Sequence, residues 1–481
     1  MRRTRRTGKA RHGALRRRAP WIGTAVAAAL GAGALLFTNA TSQAAVADNP
    51  GALKPLTISA ELSKLTLTQR KVADTTIAEL DRRLPNVGVG TVLGSANHTM
   101  PTPTSSPACR ASEKAALPVK PKATAAYCFT TGDALTQSWL PQSVTSSGDA
   151  AENGTWEANK VILSGWTHND HLYDEYPGAE PAADRGLARV AFIDANTPGA
   201  FKYRWVLLTV PTEGGANFAK LGSHLGGMVW YGDKLIVTAS NGDASQNALY
   251  VFSMKHILQA TVNSTAIGKV SGGYSAHGYQ YLMPAVGSYG LSGKCTSAND
   301  DGVPCFASIS LDRSTTPHRL VANEWFSSGG TQPARLFRYD LAAPGGAMPL
   351  AVDGSGKAKA ADAYETKAVG VQGALSYQDD AGGKRWYVPS ARGGPGQHGI
   401  MWRQDTAKTT ATACAGTDLA SACWAKHSES MSLWWSAKTV WSVTEWAADA
   451  KGHWQDPTSS GWQDRVVPER VLFAVPLSSL G

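Results

Sequence analysis

The chain lacks most of the motifs that announce an activity. It has no C-x2-C pair and no H-E-x-x-H, so thiolate and zincin metal sites lose their usual frame. Gly273-Tyr274-Ser275-Ala276-His277 has His where a nucleophile elbow needs Gly. Gly354-Ser355-Gly356-Lys357-Ala358 has Ala where a phosphate loop needs Ser or Thr. Gly88-Val89-Gly90 followed by Gly94 misses a dinucleotide loop, because its third Gly stands one place late and the helical pattern precedes it. With 49 Gly and 25 Pro in 481 residues, the chain is too poor in both for a collagen or low-complexity polymer. Its 16 Trp, 14 Tyr and 10 Phe exclude disorder, since they can cover a large core.

Acidic residues are absent from the first 47 positions, which carry nine Lys and Arg. Setting those nine aside leaves 37 basic against 37 acidic residues, so the net charge of +9 belongs wholly to the leader. A neutral body offers no electrostatic footprint for phosphate, which excludes a nucleic-acid partner. Residues 21–37 are apolar, and Ser42-Gln43-Ala44 and Ala45-Val46-Ala47 are small-x-small exits. Basic, apolar and small segments in that order read as a secretory signal over residues 1–47. A retained anchor is the competing reading of the same run, and the export route, general secretory or twin-arginine, stays open. No second apolar run of spanning length follows, so the expectation is an extracellular protein with no membrane contact once the signal is removed.

Six cysteines follow, at 109, 128, 295, 305, 414 and 423. Export permits disulfides, and short loops close at the least entropic cost. The expected pairs are therefore Cys109–Cys128, Cys295–Cys305 and Cys414–Cys423. Between the signal and about residue 126, residues 65–84 read as one helix stopped by Pro85, and residues 100–121 as a Pro/Thr/Ser-rich strap.

From Tyr127 to the end, helical periodicity is almost absent and short β-branched and aromatic runs alternate with Gly, Asp, Asn and Ser. The runs align as five long units, starting at Trp139, His224, Phe306, Val371 and Glu429. Each opens on small polar residues and leads to a strongly apolar second strand, such as Lys234-Leu235-Ile236-Val237-Thr238 or Thr439-Val440-Trp441-Ser442-Val443-Thr444. Most end on a third, such as Arg470-Val471-Leu472-Phe473-Ala474-Val475. Unit spacings of 85, 82, 65 and 58 residues suit propeller blades with loops of varied length. The expected fold is an all-β propeller over residues 127–481 with five blades, or six if the N-terminal region adds strands. A pair of sandwiches is the competing all-β reading.

Several segments carry a resemblance: Trp139-Leu140-Pro141-Gln142, Gly226-Gly227-Met228-Val229-Trp230-Tyr231-Gly232-Asp233, Gln372-Gly373-Ala374-Leu375-Ser376-Tyr377 and Val440-Trp441-Ser442-Val443-Thr444-Glu445-Trp446. Over residues 127–481 the chain resembles a group of uncharacterised secreted actinobacterial proteins of propeller type. The resemblance implies the fold and export and supplies no catalytic residue. The chain departs from the group at His427-Ser428-Glu429-Ser430-Met431, where Gly-Pro-Glu-Asp-Leu would stand, and the departure weakens a metal reading at that strand.

Three constellations can carry function. Gln142, His224, Ser308, Gln372 and Glu429 stand at the starts of the aligned units and would converge on a central channel, as a ligand ring or as the satisfied polar wall of a water-filled pore. Glu429 is the lone carboxylate of that ring and its best general base or cation ligand. His168, Asp170, His171, Asp174 and Glu175 follow an apolar strand, with the residue types of a divalent-cation loop, Ca2+ or another ion, or of a plain solvated loop. A turn at Asn299-Asp300-Asp301-Gly302 has Ca2+-loop residue types without the rest of the motif. Tryptophans gather toward the C-terminus, and Trp454 and Trp462, in a polar insertion, are the ones expected at the surface, where an indole can stack on a sugar ring. Trp441 alternates within a strand and is expected in the core. Two functions follow as expectations: binding of a glycan, cell-wall or polymeric ligand, or an extracellular hydrolase or lyase built on carboxylate and His groups.

Overall fold

Apolar runs in this chain are short and continuous rather than spaced at helical intervals, and they form strands buried on both faces. The computed structural model describes residues 49–481 except 179–180, 240–245, 296–301, 327–332, 392–395 and 412–422. The fold is all-β, and the longest helix among the described residues, Asp74–Arg83, has 10 residues.

Strands follow one another in five antiparallel groups. The first is Trp139–Ser146, Val161–His168, Ala188–Asp194 and Lys202–Thr212. The second is Met228–Tyr231, Lys234–Thr238, Asn247–Ser253 and Tyr281–Gly290. The third is Ser308–Asp312, Arg319–Asn323, Ala334–Asp340 and Ala360–Thr366. The fourth is Leu375–Gln378, Lys384–Ser390, Ile400–Gln404 and Thr409–Ala411. The fifth is Ser428–Trp434, Thr439–Thr444 and Val471–Pro476, and its outer edge is Ala125–Cys128, supplied from ahead of the first group. A parallel pairing of Lys202–Thr212 with Tyr281–Gly290 merges the first two groups into one sheet of 13 strands.

Five apolar clusters lie between these groups. Leu163 and Phe192 of the first meet Met228 and Trp230 of the second. Val229 and Tyr231 of the second meet Ile309 and Leu311 of the third. Val321 and Leu336 meet Trp386 and Val388 of the fourth. Leu375 and Tyr387 meet Met431 and Leu433 of the fifth. Trp434 and Trp441 of the fifth then meet Val144 and Trp166 of the first, so the packing returns to where it began. The opening strands of successive groups touch in the same order, Ser428–Trp434 against Trp139–Ser146 included. Small residues allow that approach: a Cβ on Gly226 would stand 2.1 Å from the Ala307 carbonyl oxygen, and one on Gly227 2.1 Å from the Ile309 nitrogen.

The N-terminal region departs from the single helix expected over residues 65–84. Helix Ser59–Lys64 and helix Asp74–Arg83 flank a strand, Leu67–Lys71, that pairs with the edge of the second group. Leu65 and Leu67 are buried and alternate with Thr66 and Thr68, so the local period is two and the β-branched residues favour extension. A helix, Gly88–Gly94, does follow Val87. Lys54–Pro55 edges the third group as Ala125–Cys128 edges the fifth, so this region completes sheets rather than standing apart. Disulfides join Cys109 to Cys128 and Cys295 to Cys305, as expected. Cys414, the expected partner of Cys423, lies outside the described residues, as do residues 1–47, where a signal segment is expected. Among the described residues no helix is long and apolar enough to cross a membrane.

Candidate functional site

In each group the opening strand starts where its neighbour ends: Trp139 faces His168, Ser308 faces Asn323 and Ser428 faces Thr444. Two of the opening strands carry a register shift at that end, between Pro141 and Ser143 and between Ser428 and Met431. A bulge re-aims side chains: Gln142 is the extra residue of the first, and Glu429 lies with Ser430 in the second. Gln142 and Glu429 converge on Glu445, the residue after strand Thr439–Thr444. Gln142 Nε2 donates to Glu445 Oε1 at 2.6 Å. Glu429 is 2% exposed and its carboxyl is hydrogen-bonded to that of Glu445. Ionised carboxylates only accept, so one of the two holds a proton. Burial, then the charge of Glu445, pushes Glu429 well above the usual carboxyl range. Burial also raises Glu445, against the opposing pull of Gln142 and Arg470. Glu429 Oε1 has no hydrogen-bond partner among the described residues.

Arg470 is fully buried beneath this pair. Its Nε donates to the Glu445 carbonyl at 2.7 Å, and its Nη1 to the carbonyls of Asp133, at 2.9 Å, and Thr136. Asp133, on the short helix Thr131–Leu135, accepts from Arg189 Nη2 at 2.9 Å and from the Tyr203 hydroxyl at 2.6 Å. Burial opposes its ionisation, yet Arg189 and Tyr203 hold it below the usual range. The Arg189 guanidinium lies 4.1 Å from the ring centre of Trp139 and 3.7 Å from that of Trp205. Two guanidiniums, the Asp133 carboxylate and one negative charge on the acid pair balance with a single shared proton.

Above Arg470 the helix Thr131–Leu135 and the turn after it form one wall of a cleft of about 350 Å³. Thr131, Thr136, Gln137 and Ser138 line that wall, and Trp462 and Gln463, from the insertion between Thr439–Thr444 and Val471–Pro476, line the other. Gln137 is buried and joins the walls: its Nε2 donates to the Gln455 carbonyl at 2.7 Å and its Oε1 accepts from the Gln455 N–H at 2.7 Å. Asn169 Nδ2 donates to the Gln137 carbonyl at 2.9 Å, and the Tyr176 hydroxyl to the Trp454 carbonyl at 2.8 Å. Trp446 stacks on His427 with ring centres 3.9 Å apart.

Of the expected ring, Gln142 and Glu429 meet through Glu445. His224 is exposed, ahead of strand Met228–Tyr231. Gln372 is half-buried, ahead of Leu375–Gln378. Ser308 is buried, with its hydroxyl unpartnered among the described residues. In the expected cation loop, His168 is buried edge-on to Trp139 and held neutral, because burial, then Arg189, lowers it to about 4. Asp170 is exposed, and Asp174 is exposed and pairs with Arg185 at 3.2 Å. The side chain of His171 and the turn residues Asn299, Asp300 and Asp301 lie outside the described residues. Among the described residues the one trio of close potential metal ligands is Cys109, Glu113 and Cys128, whose sulfurs are joined to each other. Trp454 and Trp462 are half-buried and Trp441 is buried.

The residues that sequence reasoning missed are Glu445, Arg470, Asp133 and Gln137. One signal stood in view: Glu445 and Arg470 are the charged residues that end one strongly apolar strand and begin its partner. The chain matches no family model and no curated protein.

Proposed function

We propose that this chain is a secreted five-bladed propeller that binds an extracellular glycan, cell-wall or other polymeric ligand in the cleft beside Trp462. The basic, apolar and small-residue leader supports export, and the two disulfides fit an oxidising compartment. Five strand groups, with apolar clusters that run from each to the next and back to the first, support the propeller, its last blade closed by Ala125–Cys128. The cleft is the observation that carries the function. It is of ligand size, and it sets an indole opposite hydroxyls and amides, the pairing that suits the apolar face and polar edge of a sugar.

The acid pair favours a second reading, a hydrolase or lyase. Two-carboxylate glycoside chemistry separates its groups by about 5–9.5 Å to admit the sugar. Glu429 and Glu445 are in hydrogen-bond contact and Glu429 is sealed from solvent, an arrangement that holds a proton rather than a substrate. Binding is therefore the better-supported function. Affinity measurements on the purified mature protein with cell-wall polysaccharide fractions test it: a fraction is retained by the wild type and lost on Trp462→Ala. Retention unaltered by that substitution, or turnover of the fraction, counts against the reading.

A further inference from the structure

Glu445 and Arg470 stand at the root of the insertion that carries one wall of the cleft. Just beyond them Ala447–Ala448 pairs with Val467–Pro468 as a two-stranded neck, and Trp462 and Gln463 lie in the loop that the neck supports. In the same neck the Glu469 N–H donates to the Trp446 carbonyl at 2.8 Å. Arg470 ties this root to the other wall. Its Nε holds the Glu445 carbonyl at 2.7 Å, while its Nη1 holds the carbonyls of Asp133 and of Thr136, and Thr136 lines the cleft. The Glu445 carboxyl, bonded to Gln142 and Glu429, therefore sits where both walls are anchored.

We infer that the proton shared by Glu429 and Glu445 is a switch that sets the spacing of the cleft walls, so that pH regulates ligand binding. The inference rests on the saccharide reading for the ligand alone and not for the movement of the walls. While the proton is held, the two carboxyls bond each other. Once it leaves, two carboxylates stand side by side with Glu429 sealed from solvent, and like charges repel strongly there. Glu429 is fixed within strand Ser428–Trp434, whereas Glu445 follows the last residue of strand Thr439–Thr444. Glu445 gives way, and the neck and Arg470 move with it. The other groups that face the pair do not supply the change. Strands Trp139–Ser146 and Thr439–Thr444 hold no ionisable residue. The His427 carbonyl accepts from the Glu445 N–H at 3.1 Å, and burial lowers its ring to about 3, so it stays neutral. Glu469 is paired with Lys426 at 2.7 Å. Beyond Arg470, Asp133 is held below the usual carboxyl range against its burial, by Arg189 and Tyr203, and stays ionised. His98, 3.8 Å from Asp133, is lowered by burial.

Hydrogen exchange of the ligand-free mature protein tests the switch, with wild type and Glu429→Gln compared at equal pH from about 5 to 9.5 so that intrinsic rates cancel. At the acid end the two should exchange alike over residues 131–138 and 455–463. At the alkaline end these segments should exchange about three-fold or more faster in the wild type. Glu445→Gln, which also leaves a single carboxylate, should match Glu429→Gln. Asp149→Asn, at the far end of the same opening strands, should follow the wild type. Retention of a cell-wall polysaccharide fraction by the wild type should weaken at least about three-fold over the same rise in pH and stay level in Glu429→Gln. Cleft segments that respond to pH equally in the wild type and both Gln variants would overturn the switch. Exchange that follows the prediction, with no fraction retained at any pH, would uphold the switch and overturn the saccharide reading.

Discussion

Gln137 and Gln455, 318 residues apart, form a two-way hydrogen-bonded pair: the side-chain amide of the first meets both main-chain polar atoms of the second, at 2.7 Å each. The pair binds a turn that precedes the first strand group to an insertion within the fifth. It lies where the propeller reading closes its ring, and it fixes the spacing of the cleft walls.

Gln137→Ala removes both bonds and leaves the Gln455 backbone to find water. Chemical denaturation should show a loss of about 1–3 kcal/mol, and saccharide affinity should fall with it. Gln137→Glu keeps the acceptor for the Gln455 N–H and sets an acceptor against its carbonyl, so it should bind less well than wild type. Unchanged affinity in both variants would show that the clamp does not shape the site.

The acid pair makes stability depend on pH. Glu429 is raised in the folded state, so its contribution is full below about pH 4.5 and is lost as pH rises through the folded value. Glu429→Gln keeps the shape and stays neutral. The melting temperature of the variant relative to wild type should therefore climb as pH rises above about 4.5, by several degrees in the alkaline range. A flat difference between the two proteins would mean that Glu429 does not hold the proton.

Asp149 acts in the same direction from helix Ser147–Ala150. Its Oδ2 accepts from Thr145 Oγ1 at 2.8 Å and Ser432 Oγ at 2.7 Å, and Arg313 Nη2 donates to its carbonyl at 2.6 Å, so it joins the first, fifth and third groups. Burial pushes its carboxyl up to about 7 against the pull of those hydroxyls and Arg313. Its contribution, of the order of 4 kcal/mol, is present below about pH 4 and lost by the time pH passes 7. His168 and His427, both lowered by burial, oppose this trend as pH falls. The difference curve between Asp149→Asn and wild type isolates the carboxyl, and it should rise between about pH 4 and 7 and then level off.

Cys109–Cys128 closes a loop of 19 residues and ends on the strand that edges the fifth group. Replacing both cysteines with Ser should cost about 3 kcal/mol, through the freedom returned to the unfolded chain. Proteolysis should then begin near residues 109–128. Cleavage elsewhere first would mean that this edge is held by other contacts.

Much of the strand order could be read in advance, because strands buried on both faces must be apolar runs. Lys234–Thr238, Arg319–Asn323 and Thr439–Thr444 stand where those runs predict them. The opening strands were harder to place. The second begins at Met228 rather than at His224, because Gly226 and Gly227 pass against Ala307 and Ile309 before the strand starts. His224 is left exposed by that shift. The leucines of residues 65–84 fit a helix as well as a strand, and pairing with Tyr281–Gly290 decided between them. Glu445 was hidden for another reason: its meeting with Glu429 and Gln142 depends on two bulges, and a bulge adds one residue without changing the apolar pattern.

The central claim is that residues 131–138 and 457–463 form one ligand site, and hydrogen exchange with and without a saturating oligosaccharide tests it most directly. The account predicts slowed exchange in those two segments and their Gln455 link, with the opposite ends of the opening strands unchanged. Protection centred elsewhere, with these segments exchanging as in the free protein, would contradict it.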